Sequence, residues 1–567
     1  MLLSNLNLLA TAPGGVARLR ELILTLAVQG KLVPQDPKDE PASALLKKIR
    51  AEKGRLIAEG TIKRDKSLTE IAEDEKPFEL PRGWEWVRLG DLCSYIQRGK
   101  GPVYADYSEH RVISQKCVRW YGLNLEPARF ITAESLNKYE AIRFLQAGDL
   151  LWNSTGTGTI GRACLVPPAQ DKAGLVADSH VTVVRPVQLN GYFLWRWIQS
   201  PYVQNEIEGS ASGTTNQIEL NTSTVINHLV PVPPVAEQSR IVTRVEELMR
   251  LCDALEAQGQ LEATQHAQLV STLLRTLTES DTPEQLAGNW HRIATHFDLL
   301  LDRPEAVDAL EQTILQLAVR GLLVPQDPQD ESASELLKRI RAEKDKRIAE
   351  GKIKRDKPLP PIGEDEQPFE LPQGWEWARM QEAFDVRDGT HDTPKYVEQD
   401  GVPLITSRNF EAGKICFNGA KLISQADHEL IKRRSRVERH DILYSMIGGN
   451  IGNQVLVDTD REFSIKNVAL FKYVSRIYTL PLYLNLFLET VTFSLQGRAV
   501  GGAQPFVSLS LLRNIPFPLP PCAEQSRIVT RVAQLRRLCA DLRERLAVSQ
   551  TTQSRLAEAL IAEVVPT

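Results

Sequence analysis

In two stretches of this chain the apolar residues recur at alternating steps of four and three. The first series is Ile241, Val245, Leu248, Cys252 and Leu255; the second is Ile528, Val532, Leu535, Cys539, Leu542 and Leu546. This heptad rhythm predicts two helices, each with an apolar seam suited to lengthwise packing. At about 40 residues, each would span roughly 60 Å. The simplest partner for each seam is the other long helix, running antiparallel. The alternative is that each helix covers its own neighbouring domain. Shorter apolar helices end at Gly30 and Gly321, both placed as C-caps. Charged amphipathic helices are predicted over 43–59 and 334–350. Elsewhere short apolar runs alternate with glycine and proline: Asp149-Leu-Leu-Trp152, Ala163-Cys-Leu-Val166 and His180-Val-Thr-Val-Val184. Their counterparts are Asp441-Ile-Leu-Tyr444, Gln454-Val-Leu-Val457 and Asn467-Val-Ala-Leu-Phe471. These read as strands of an α+β domain, each set followed by a helix near 192–200 or 481–495.

The same elements occur twice because the frame is duplicated. Leu32-Val-Pro-Gln-Asp-Pro37 returns as Leu323-Val-Pro-Gln-Asp-Pro328, and Gly83-Trp-Glu-Trp86 returns as Gly374-Trp-Glu-Trp377. Ala236-Glu-Gln-Ser-Arg-Ile-Val-Thr-Arg-Val245 recurs unaltered as Ala523-Glu-Gln-Ser-Arg-Ile-Val-Thr-Arg-Val532. Trp86 and Trp377 lie 291 positions apart, but Glu237 and Glu524 only 287, so all the length difference falls inside the inserts. So long a period marks a duplicated domain pair, not a solenoid. Two dissimilar inserts in one repeated frame predict one device that reads two different things.

Composition narrows the class. The 567 residues can bury several cores. No uncharged apolar run approaches the roughly 20 residues that span a bilayer, and the apolar N-terminus lacks a basic leader region. Seven cysteines without a C-x-x-C pair predict reduced thiols in a cytoplasm. Cys252 and Cys539 sit on the helical seams, where packing accounts for them. The net charge of −4 does not mark a nucleic-acid binder, although phosphate binding needs only a local basic face. The densest basic run, Lys432-Arg-Arg-Ser-Arg436 with Arg439, reads most simply as a solvated surface.

Candidate catalytic motifs fail on their context. Gly156-Thr-Gly-Thr-Ile-Gly161 satisfies G-x-G-x-x-G. A dinucleotide site needs a helix next, because the helix N-terminus holds the pyrophosphate. A strand pattern and Pro167-Pro168 follow instead, and the second copy loses the motif, so both segments read as tight turns. There is no Asn/Asp-Pro-Pro-aromatic tetrapeptide of an adenine methylase and no ATP-binding G-x-x-x-x-G-K-[ST] loop. His291 and His296 have no third ligand in sequence.

Three doubled signals together resemble a known family. They are Leu-Pro-x-Gly-Trp-Glu-Trp at 80–86 and 371–377, the strand–glycine turns Leu150-Leu-Trp-Asn-Ser-Thr-Gly156 and Ile442-Leu-Tyr-Ser-Met-Ile-Gly448, and the proline-rich exits before Glu237-Gln238 and Glu524-Gln525. Over nearly its whole length the chain resembles the specificity subunits of type I restriction–modification enzymes. The resemblance implies two pseudo-symmetric target recognition domains, separated by two long antiparallel, coiled-coil-like helices. The expected divisions are an N-terminal helical region 1–87, a first recognition domain 88–231 and a long helix 232–280. A linker with the second helical frame follows at 281–378, then a second recognition domain 379–517 and a closing helix 518–567.

The resemblance also implies function. The chain itself would be non-catalytic and carry no cofactor or metal. It would read a bipartite, asymmetric duplex DNA site and dock two methylase subunits, and through them restriction subunits. S-adenosylmethionine belongs to the methylase, and ATP with magnesium to the restriction subunit. The DNA-reading candidates in the first insert are Gln97, Arg98, Lys100, Gln115, Lys116, Thr155, Thr157, Thr214, Thr215 and Gln217. In the second they are Arg387, Thr390, His391, Ser407, Arg408, Asn409, Gln504 and Ser508. Arg and Lys suit guanine edges or phosphates, and Asn and Gln suit adenine. Ile241, Val245, Leu248, Leu255, Ile528, Val532, Leu535 and Leu542 form the seam or a partner surface. A methylase-only or inactive system, and a tandem scaffold for protein or glycan, remain as alternatives.

Overall fold

The computed structural model describes residues 6–64, 68–137, 139–156, 158–168, 174–211, 219–355, 357–475, 478–499 and 505–564. The chain divides into two compact units. One is Met1–Glu262 with Gln550–Thr567, and the other is Ala263–Ser549. Each unit therefore holds the opening of one long helix and the closing turns of the other.

In the first unit the helix Gly15–Val28 ends in a left-handed Gly30, whose N–H bonds Ala27 while that of Lys31 bonds Leu26. A Cβ at Gly30 would come within 2.6 Å of Pro81 and 3.0 Å of Trp84, so glycine is needed for space as well as for its φ of +69°. The helix Ala42–Ala58 follows. The chain then enters the insert along strand Glu85–Arg88 and leaves along Leu229–Val232, and these two strands pair antiparallel. Entrance and exit thus meet in one ribbon, which is how a divergent domain fits a fixed frame. Buried Arg88 locks this base, its guanidinium bonding both oxygens of Glu75 at 2.9 Å and the carbonyl of Asn227.

The insert contains two four-stranded sheets. In the first, the antiparallel order is Cys93–Arg98, Val181–Pro186, Leu150–Asn153, Ala163–Leu165. In the second, Val176–Ala177 runs parallel to Arg111–Ile113, followed by Arg129–Ile131 and Tyr104–Ala105. Leu150, Leu151 and Trp152 are all buried, which explains their unbroken apolar run. The helix Gly191–Gln199 covers the sheet with Leu194 and Trp197, while its Phe193 packs in the frame cluster against Trp84 and Ile241. Beneath the domain, the Trp197 indole N–H donates to His228 Nε2 at 3.1 Å, and the Trp152 ring lies edge-on to the imidazole at 5.4 Å. Burial pushes His228 down to about 4, and an imidazole that accepts a hydrogen bond at this nitrogen must be neutral.

The second unit repeats this plan. Its incoming strand Glu376–Arg379 pairs with the outgoing Pro516–Leu519, and Arg379 bonds Glu366 and the carbonyl of Asn514. The first sheet runs Phe384–Asp388, Val468–Tyr473, Ile442–Ser445, Gln454–Leu456; the second runs Tyr396–Val397, Lys421–Ile423, Val402–Ile405, Ser464–Ile465. Strand order and direction match the first domain, so two dissimilar sequences specify one α+β fold.

The long helices are Val235–Thr278, 44 residues, and Cys522–Val564, 43 residues. The seam is covered differently from the simplest expectation. Ile241, Val245 and Cys252 sink into a cluster with Leu19, Ile23, Leu24 and Ala27 of the helix Gly15–Val28, and Ala557 adds a single buried residue from the other long helix. Ile528, Val532 and Cys539 likewise join the core that holds Leu310, Ile314 and Leu317 of the helix Pro304–Val319. Leu248, Leu255, Leu535 and Leu542 are only half-buried. A heptad stripe states that a helix packs lengthwise but does not name its neighbour: here each seam shares its core with the frame helix of the same unit as well as with the other long helix, through Ala557 in the first unit and Val270, Leu274 and Leu277 in the second. Charge repeats the arrangement: Arg20 bonds Asp253 at 2.6 Å, and Arg543 bonds Asp308 at 2.7 Å. Among the described residues no helix is long and apolar enough to cross a membrane.

Candidate nucleic-acid interface

The doubled motifs first build a joint. The Trp84 indole N–H donates to Glu237 at 3.0 Å, and Trp375 does the same to Glu524 at 3.0 Å. The neighbouring glutamine clamps the domain: Gln238 accepts from the Asn190 N–H and donates to the Pro233 carbonyl, and Gln525 does so with Leu480 and Pro520. Burial raises both glutamates above the ordinary carboxylate range. The repeated tryptophan and Glu-Gln blocks are therefore the hinge pieces that fix each insert on its long helix.

At one edge of each insert several loops converge. In the first domain the strand Cys93–Arg98 ends at Gly99, where an added Cβ would stand 2.1 Å from the Ala177 carbonyl oxygen. That close approach carries the chain from one sheet to the other. Arg111–Ile113 and Leu150–Asn153 end at the same edge, so residues 97–100, 114–117, 154–156, 158–160, 178–180 and 219–221 form a rim. Asn153, fully buried, donates to the carbonyls of Gln115 and Thr159, and the Thr159 hydroxyl donates to Gln115 Oε1 at 3.0 Å. Thr155 Oγ1 lies 2.7 Å from His180 Nδ1. Arg143 donates to Gln97 Oε1 at 2.8 Å and to the Arg98 carbonyl, and Arg98 faces Glu219 at 3.5 Å. Gly156, Gly158 and Gly161 all have positive φ and lead into strand Ala163–Leu165, so this segment is a turn of the rim, with no helix to hold a pyrophosphate.

The second domain builds the same rim from other side chains. Gly389 makes the equivalent crossing, 2.3 Å from the Ile465 carbonyl oxygen by the same measure. His391 bridges Asp388 at 2.8 Å and Asn467 at 3.3 Å, and Arg434 also contacts Asp388. Arg387 bonds Asp385 and the Arg434 carbonyl. Asn409 is turned inward, accepting from the N–H and hydroxyl of Thr406 and donating to the Cys416 carbonyl. Ser508 caps the helix Leu509–Asn514 by accepting from the Leu511 N–H. Thr390 is tied through its backbone to Ile465.

The structure thus gathers Gln97, Arg98, Lys100, Gln115, Lys116 and Thr155 at one rim, and Arg387, Thr390, His391, Ser407, Arg408, Asn409 and Ser508 at the other. Gln97, Lys116, His391 and Arg408 are the most exposed of these. Thr157, Thr214, Thr215, Gln217 and Gln504 lie outside the described residues. Sequence reasoning missed His180, Arg143, Asp388 and Asn467, which hold the rims together, and the hairpin Val118–Arg119/Gly122–Leu123, which exposes Tyr121 at 77%. An aromatic pair directly before a glycine was its only signal. Arg98, Lys100, Lys116 and Arg143 outnumber the acidic Asp178 and Glu219, so the first rim is locally basic although the chain's net charge is −4. Such a local face is what phosphate contact requires.

Comparison with known proteins identifies the family. The type I restriction modification DNA specificity domain matches residues 81–265 and 372–548, each match starting at the Leu-Pro-x-Gly-Trp block. The chain is 36% identical to the type I restriction enzyme EcoAI specificity subunit of Escherichia coli, over 96% of this chain and 93% of that one. It is also 36% identical to the EcoEI specificity subunit of the same species, with the same coverage. A crystal structure of the HsdS subunit from Thermoanaerobacter tengcongensis aligns at 19% identity and a TM-score of 0.39, covering 86% of this chain and 97% of that one. The chain belongs to the family of type I restriction–modification specificity subunits.

Proposed function

We propose that this chain reads a split, asymmetric duplex DNA site for a type I restriction–modification enzyme, each recognition domain contacting one half. One observation carries the reading: the two rims share a scaffold but not their side chains. At matching positions Gln97 corresponds to Arg387, Lys100 to Thr390, Gln115 to Ser407 and His180 to Asn467. Equal scaffolds with unequal reading edges suit two unlike half-sites. Reading heads that meet the same face of the duplex would stand about one helical turn, roughly 10 bp, apart. Phosphate contacts would supply most of the affinity and a few base-edge contacts the specificity.

Catalysis falls to the partners in this reading. Two methylase subunits dock on the pseudo-symmetric frame, each using S-adenosylmethionine on an adenine flipped out of the stack. Restriction subunits, with ATP and magnesium, join through them, and the assembly works in the cytoplasm. The test is the salt dependence of duplex binding by the chain with its methylase. With 6–10 phosphate contacts, affinity should fall by about 10³–10⁵ between 50 and 200 mM salt. Binding that ignores salt, or no binding, would favour a protein or glycan scaffold.

A further inference from the structure

The basic run of the second recognition domain does not act as one surface. The helix Gln425–Ser435 sends Arg434 to Asp388 at the rim, while Lys432 and the capping Arg436 turn elsewhere. Residues two apart on a helix project to nearly opposite sides, and residues four apart to the same side. Lys432 and Arg436 line a cleft of about 300 Å³ with His428, Arg439 and Arg461. Four permanent cations there face three carboxylates, Glu438, Asp460 and Glu462.

Two observations separate this cleft from an ordinary solvated face. The first is His428, 2% exposed, whose Nδ1 lies 2.9 Å from Ser464 Oγ while its Nε2 is buried without a hydrogen bond, 3.6 Å from Glu462. With Nδ1 accepting from the serine hydroxyl, Nε2 carries the proton and presents a donor. Glu462 stands too far from this donor for a good hydrogen bond, so a nearer oxygen would be favoured. The second is that the shared fold does not need this equipment. At the positions of Arg436, Val437, Glu438, Arg439 and His440, set by the equivalence of Asp441 with Asp149, the first domain carries Phe144, Leu145, Gln146, Ala147 and Gly148.

The cations are paired only loosely. Lys432 meets Glu462 at 2.6 Å and Arg439 meets Asp460 at 3.1 Å, but the two carboxylates are 58% and 79% exposed. Such exposed pairs are weak and open readily for a stronger anion. Arg461 lies over the Phe417 ring at 4.5 Å, and Phe463 and Val457 give the cleft an apolar wall. Guanidinium forks match phosphate geometry better than they match a single carboxylate oxygen. Among the described residues no group of three or more His, Cys, Asp or Glu could hold a metal ion.

We propose that this cleft binds a phosphate group, with Arg436, Arg439 and Lys432 taking its charge and His428 Nε2 donating to one oxygen. The group comes either from a free phosphomonoester or from the DNA backbone, and the test distinguishes them. The full chain in complex with its methylase is titrated calorimetrically with AMP and with adenosine, as wild type and as Arg436→Gln/Arg439→Gln. Both side chains are solvent-facing, so the variant should fold, which circular dichroism checks. For a free ligand, AMP binds, adenosine does not, and the variant loses at least about tenfold in AMP affinity. For a backbone phosphate, AMP does not bind, but the variant lowers the slope of log affinity against log salt for duplex DNA by about 0.9 per lost contact. AMP binding that the variant leaves unchanged, or neither AMP binding nor a changed slope, overturns the proposal.

Discussion

Replacing Arg185 with methionine is expected to destabilise the first unit by about 3–5 kcal/mol, because it strands a buried carboxylate. Asp149 is 1% exposed and receives Arg185 through two bonds of 2.7 Å, one to each oxygen. The same guanidinium also donates to the carbonyls of Phe144 and Ile142, tying the segment 142–144 to the first sheet. Methionine keeps much of the volume but none of the donors. Asp149 keeps the neutral Gln146 N–H at 2.8 Å but loses both charged bonds. Urea unfolding followed by tryptophan fluorescence reads the effect, since six of the nine tryptophans lie in this unit. Adding Asp149→Asn should recover more than half of the loss, because the remaining cost would no longer include an unpaired charge. A single variant as stable as wild type would mean that water reaches Asp149. The second domain solves the same problem with Lys472, 2.6 Å from Asp441, and there burial pushes Asp441 up to about 6.

The second large effect is on pH. His228 is held at about 4 in the folded chain, below its ordinary value of 6.5. Between those values the unfolded chain binds the additional proton, so stability rises with pH across that window and is lost as pH falls through 6.5 toward 4. The expected loss between pH 7 and pH 5 is about 1–2 kcal/mol, the lower figure allowing for partial solvent access. His228→Gln can still accept the Trp197 N–H but cannot titrate. Its pH dependence over that interval should be shallower than that of wild type by this amount. Parallel profiles would show that His228 protonates without cost in the folded state.

The frame was legible because its motifs serve contacts that require particular residues. Only an indole reaches Glu237 from Trp84, and only glycine fits between Gly30's neighbours. The strands were legible because both faces of Leu150–Asn153 are buried, which leaves an unbroken apolar run. Three things were not legible. A heptad seam does not name every helix that covers it: Ile241 and Val245 share their cluster with the helix Gly15–Val28 as well as with Ala557 of the other long helix. A polar loop residue does not reveal whether it serves its own backbone, as Asn409 does, or faces outward like Arg408. A basic run read as one surface is divided by helical rotation between a rim and a cleft. The described site candidates, polar loop residues to which the family resemblance pointed, lie together in each domain because the strand–loop junctions share one sheet edge.

The central claim is that each rim reads its own half of one split site. The direct measurement is methylome sequencing in a host without adenine methylation, expressing the methylase with this chain as wild type or as Gln97→Ala/Lys116→Ala. The expected result is a motif of two unlike halves separated by unspecified bases, with one modified adenine in each. The variant should relax one half and leave the other unchanged. A continuous motif, a variant that alters both halves equally, or no modified adenine from a soluble, co-purifying complex would contradict the claim.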